Sequence, residues 1–111
     1  GVRAVFGDGE DLEIYHDGTK SVIKDSGTGN LNVNTSNLVV KDAANSETML
    51  KATQNAAVEL YYNNSKKFET TNTGAVVTGI LTATSFEGSG ENLTNLPASG
   101  DANDITASLF T

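Results

Sequence analysis

The chain has 111 residues, a net charge of −7, one proline, one histidine, and neither cysteine nor tryptophan. Lys and Arg are scattered, which excludes the basic patches that give nucleic-acid and anionic-membrane binding most of their affinity, and no apolar run approaches the ~18 residues of a membrane-spanning helix. Without cysteine, and with a single histidine, disulfides and most structural metal sites are unavailable as staples.

Leu, Ile, Val and Phe make up under a quarter of the residues. That is thin material for a self-sufficient core, yet the low proline content and moderate charge are not those of a disordered segment. The expectation is a chain that folds with help from apolar surface buried between copies. Its start, Gly1-Val2-Arg3, has neither an initiator Met nor a signal peptide, and reads as part of something longer.

Period-two alternation dominates and predicts strands. In chain order the runs are Leu12–His16, Asn30–Asn34, Val58–Tyr62 and Ile80–Thr84. Turn signals separate them at Asp17-Gly18, Gly27-Thr28-Gly29, Asn63-Asn64-Ser65, Asn72-Thr73-Gly74 and Gly88-Ser89-Gly90. The stretch Ala43–Ala52 has two readings: a helix of two or three turns with Ser46 as N-cap, or a strand through Met49-Leu50-Lys51-Ala52-Thr53.

An internal repeat is the most informative feature. Leu12–Lys20 aligns with Val58–Lys66 at a constant offset, and each copy reads as strand, tight turn, second strand, the second strands running Lys20–Lys24 and Lys66–Thr70. This divides the chain into a first hairpin and following strand (1–35), connecting strands (36–56), a second hairpin (57–78), a module ending in Leu96-Pro97 (79–97) and a weakly patterned end (98–111). In each hairpin Leu12, Ile14 and His16, or Val58, Leu60 and Tyr62, point one way; Glu13 and Tyr15, or Glu59 and Tyr61, point the other.

One narrow apolar row per strand does not offset the entropy of ordering the backbone. Three copies meeting on an axis would close it. The candidates for that core are Leu12, Ile14, Val22, Leu31, Val33, Val58, Leu60, Phe68, Val76 and Ile80.

Few residues suggest chemistry. His16 beside Asp17, with Ser21 nearby, has a triad's residue types but no nucleophile elbow, and no enzyme is expected. Three copies of His16 on a threefold axis would make a metal or anion site, although Tyr62 takes the equivalent place in the second hairpin. Asp8, Glu10 and Asp11, interspersed with Gly7 and Gly9, are hard-cation ligands without EF-hand spacing, and a solvated acidic turn accounts for them. No cofactor is expected. Tyr15 and Tyr61, with Asn30, Asn32 and Asn34, are candidates for a polar and aromatic face that stacks on sugars.

Two segments, Phe6–Gly18 and Val58–Gly74, resemble repeated segments of tail-fibre-like structural proteins of marine bacteriophages, especially cyanophages. A third, Gly79–Pro97, is similar to the Thr-Ala-Thr-Ser-Phe, Gly-x-Gly, Leu-x-x-Leu-Pro module that precedes the distal part of such fibres. The resemblance implies an elongated all-β homotrimer of intertwined, β-helix-like strands. It also implies assembly in the host cytoplasm, a place in the virion, contact with other tail proteins, and a role in host attachment through a surface glycan. The alternatives are a carbohydrate-binding β adhesin and, less favoured, a glycan-cleaving β-helix enzyme, which would need paired carboxylates that are not visible here.

Overall fold

A computed structural model describes residues 1–97; the weakly patterned end, 98–111, lies outside the described residues. The described residues are all-β, in two antiparallel sheets with no helix. The first sheet has the order β1-β2-β3, with β1 Arg3–Phe6, β2 Leu12–His16 and β3 Ser21–Asp25. The second has the order β4-β5-β6-β7-β8, with β4 Asn37–Lys41, β5 Thr48–Thr53, β6 Val58–Tyr62, β7 Ser65–Thr71 and β8 Gly74–Val77. Within each sheet every strand neighbours the next in sequence, so both sheets are meanders built from hairpins. The chain divides into two units, 1–76 and 77–111. Within the second, the described loop closes on a Leu93 N–H that donates to Gly90 O at 3.1 Å.

Both expected hairpins form, with different turns. In the second, Tyr62 and Ser65 pair across a two-residue loop, and Asn63 and Asn64 hold φ of 48° and 66°. Two successive left-handed residues are what a type I′ turn requires, and Asn tolerates that region because its short amide bonds locally. In the first, His16 pairs with Ser21, leaving a four-residue loop in which Gly18 takes φ 99°. Replacing Asn63 with Val, whose branched Cβ is strained at its φ of 48°, is expected to cost about 1–2 kcal/mol; Asn63→Gly is expected to be close to neutral. Chemical denaturation of the two variants checks this.

Two bulges shape the second sheet. The register slips between Leu60 and Tyr61 on β6, leaving Lys67 as the extra residue on β7, and between Val40 and Lys41 on β4, leaving Met49 as the extra residue on β5. The Lys67 bulge changes side-chain parity, so that Lys66 shares a face with Glu69. Their ion pair, 2.8 Å, follows from it.

Three expectations resolve differently from, or more narrowly than, the sequence patterns. Over 43–52 the strand prevails: the loop after β4 closes on Asp42, whose carboxylate accepts from the backbone N–H of Ser46 and Glu47, and β5 starts at Thr48. This side-chain bonding ends the turn without starting a helix. The expected strands at Asn30–Asn34 and Ile80–Thr84 are absent: neither segment has a ladder partner among the described residues. Alternation states which way side chains would face, whereas a strand exists only when another backbone completes its hydrogen bonds. β1 was not anticipated at all, because Arg-Ala-Val-Phe is too short and mixed to show a period.

Among the described residues no apolar side chain is buried; the one buried residue is Glu13, 9% exposed. No strand of the first sheet contacts a strand of the second. Each sheet is therefore a single layer, and the described residues form no hydrophobic core.

Candidate functional site

Residues directly opposite in antiparallel strands share a face, so the register sorts every side chain of the sheets. In the first sheet Ala4, Ile14 and Ile23 are aligned on one face, with Phe6, Leu12 and, at the edge, Asp25 in the next row. Arg3, Tyr15 and Val22, and Val5, Glu13 and Lys24, lie on the other. In the second sheet, one row runs Val40-Leu50-Leu60-Phe68 across four strands, beside Leu38-Ala52-Val58. The reverse face carries Val39-Lys51-Glu59-Glu69. Each sheet thus has one mainly apolar face, edged in the first sheet by Asp25 and by His16 and Ser21, and one face that carries most of its charges.

The charged faces are satisfied within the chain. Arg3 Nη1 donates to Glu13 Oε1 at 3.0 Å, Lys24 Nζ stands 3.9 Å from Glu13 Oε2, and the Arg3 guanidinium lies 4.0 Å over the centre of the Tyr15 ring. In the second sheet the Tyr61 hydroxyl donates to Glu59 Oε2 and Lys66 Nζ to Glu69 Oε2. The hydrogen bond to Glu59 raises the Tyr61 pKa, because deprotonation would place two anions together, and the bond to Glu69 raises that of Lys66. Glu59 directly faces Glu69, a like-charge pair that Lys66 and the neighbouring Lys51 offset. The two hairpins solve this differently: Glu13 and Tyr15 are held by cations on their face, whereas Glu59 and Tyr61 bond to each other and Lys66 pairs with Glu69.

Among the described residues nothing covers the apolar faces. Ile14 is 46% exposed, Ile23 65% and Leu60 41%. Half of the core candidates from the sequence fall here: Leu12 and Ile14 in the first sheet, and Val58, Leu60 and Phe68 in the second. Val22 does not, because its partner is Tyr15 and it lies on the charged face. Leu31, Val33 and Ile80 lie outside any strand, and Val76 is on β8, exposed. Sequence reasoning missed Phe6, Ile23, Leu38, Val40 and Leu50. Leu38-Val39-Val40 is three apolar residues in a row, which hides the period that the register reveals.

The candidates for chemistry separate. His16 and Ser21 are brought together by their register, Nδ1 to Oγ 3.1 Å. The Asp17 carboxylate turns away from the ring into its own loop, accepting from Lys20 Nζ, Thr19 N, Thr19 Oγ1 and Lys20 N at 2.9–3.0 Å. A hydroxyl–imidazole pair therefore forms without a carboxylate to orient it. Tyr62 and Ser65 take the same register positions in the second hairpin. The Asp11 carboxyl folds back against Gly7, Gly9 and Gly27, where a Cβ on Gly9 or Gly27 would come within about 3 Å of it. Among the described residues no group of three His, Asp or Glu side chains is placed to hold a metal ion within one chain, and Asp8, Glu10 and Asp11 are not gathered into one. Tyr15 has one ring face occupied by Arg3; Asn30, Asn32 and Asn34 are exposed but not on a sheet.

The Asp17 turn is acid-sensitive. The ammonium of Lys20 first, then the backbone N–H groups of Thr19 and Lys20, hold its carboxyl well below the usual carboxylate range, and Asp42 is lowered by the Glu47 and Ser46 donors. A depressed carboxyl contributes above its unfolded pKa of about 4, and its contribution is lost as pH falls below that. Loosening of both turns is expected below about pH 4 and not between pH 5 and 8. Chemical-shift titration of the Thr19 and Ser46 amides checks it, and Asp17→Asn is expected to remove the Thr19 transition.

No protein-family model matches this chain, and neither a curated protein nor a solved structure is similar to it. The described residues define an all-β fold of single-layered antiparallel sheets, with most charges paired on one side and a mainly apolar face left bare on the other.

Proposed function

We propose that this chain is a segment of a homotrimeric fibre, part of a phage tail fibre or virion appendage, structural in role and contributing to host attachment. The observation that carries the reading is the apolar face that both sheets leave bare, with no apolar side chain buried among the described residues. Such a face is stable in water only when covered. The chain exposes 9420 Å² of surface, whereas a folded monomer of its mass exposes about 5,800 Å². After the most that residues 98–111 could contribute is subtracted, an excess of about 1,500 Å² per chain remains, the size of an obligate interface. Copies of the chain suit it, because the charges that sum to −7 lie largely on the opposite faces and in loops, so apolar faces can meet without strong repulsion.

The viral part of the reading rests on the likeness of Phe6–Gly18, Val58–Gly74 and Gly79–Pro97 to phage fibre segments. Intertwined, β-helix-like strands about a common axis, location in the virion and partnership with other tail proteins come with it. No enzymatic role is assigned: the His16–Ser21 pair lacks its carboxylate. The alternative of a carbohydrate-binding adhesin is weakened at Tyr15, whose ring is stacked under Arg3.

Multi-angle light scattering at micromolar concentration tests the assembly, with three times the 11.6 kDa chain mass expected. A monodisperse monomer overturns it. Saccharide-induced chemical-shift changes at the Arg3–Tyr15 face would favour the adhesin instead.

A further inference from the structure

Asn30-Leu31-Asn32-Val33-Asn34 alternates as a strand should, and it runs without a bend until Ser36. Among the described residues no hydrogen bond reaches its backbone, and Leu31 and Val33 are 50% and 64% exposed. It leads into β4, which lies at the edge of its sheet with its outer side unpaired. Val33 lines a shallow cavity with Leu38, Ala52 and Thr53, so the apolar face continues beyond the sheet through this segment.

Residues 30–40 contain no charged side chain and no proline. Natural edges are normally blunted by lysine, proline or bulges, and this stretch has none before Lys41. An unblunted edge is tolerated when it is covered. From these features we infer that residues 30–34 form a β-strand only in the assembly, hydrogen-bonded to a strand of a second copy of this chain. The second copy is the occupant because an uncharged stretch in a chain of net charge −7 is where identical copies approach without repulsion. The excess surface is also of the size that obligate self-association buries. The inference rests on the homotrimer reading and adds to it a backbone ladder that side-chain burial alone would not supply.

Amide hydrogen exchange by NMR on the whole chain, assembled and then diluted to dissociate, tests it. An edge ladder bonds alternate residues, so alternate amides within 30–34 are expected to exchange about 100-fold or more slower than unpaired chain and to lose that protection on dissociation. Fast exchange throughout 30–34 in a chain that sediments as a trimer overturns the ladder and leaves the trimer standing, whereas a monomeric chain overturns both. Protection that survives dissociation means the cover is intramolecular and also overturns the inference. As a second readout, Asn32→Pro and Val33→Pro each remove one amide from opposite sides of the segment, outside the intrachain ladders. One of them is expected to raise the dissociation midpoint about tenfold or more and the other much less; equal tolerance of both rejects the ladder.

Discussion

Leu60→Asp is expected to abolish assembly, leaving a monomeric, largely unfolded chain at concentrations where the parent is a trimer. Leu60 sits mid-row in Val40-Leu50-Leu60-Phe68, with apolar side chains on both neighbouring strands. In an isolated chain it is 41% exposed, and a carboxylate there would be hydrated at little cost. Covered by another copy, the same carboxylate is desolvated with no cation on its face, a penalty of about 3–5 kcal/mol per chain, multiplied by the number of copies that meet. The contrast between the two states makes the variant informative. A control on the reverse face, Val39→Lys, adds a charge beside Lys51, Glu59 and Glu69, and is expected to change stability by under about 1 kcal/mol. Scattering mass and thermal melting of the two variants distinguish an apolar-face interface from a charged-face one; equal tolerance would mean that the apolar face stays open to water.

The second large effect belongs to Glu13, the one buried side chain among the described residues. It accepts from Arg3 on β1 and stands near Lys24 on β3, so it links all three strands of the first sheet. Glu13→Ala strands two cations over a half-covered face and removes the group that orients Arg3 above Tyr15. The expected loss is about 1–3 kcal/mol, below that of a fully buried pair because both cations keep much of their hydration. A double-mutant cycle with Arg3→Gln separates the bond from the side chains themselves. A coupling of about 1 kcal/mol or more is expected, decreasing in high salt. Zero coupling would mean that Arg3 serves the Tyr15 ring rather than the carboxylate.

The two hairpins were legible because Asp-Gly and Asn-Asn between alternating runs are local signals: the turn residue and its flanking period need no knowledge of the rest of the chain. The same locality explains the misses at Asn30–Asn34 and Ile80–Thr84, whose alternation is as clear as that of β2 but whose partner backbone is not supplied among the described residues. β4 was only roughly placed because Leu38-Val39-Val40 carries no alternation, and its membership of the apolar face emerges only from pairing with β5. Val22 shows the opposite failure. It is apolar and strand-borne, yet the four-residue loop after His16 pairs it with Tyr15 and sets it on the charged side.

By itself, the sequence determined the all-β class, the two hairpins, the absence of staples and a shortage of core material, all of which follow from composition and short-range period. The tertiary structure alone decided which side chains share a face, because one residue of loop length or one bulge, as at Lys67, reverses the parity of everything beyond it. From that decision comes the division into self-satisfied charged faces and bare apolar ones.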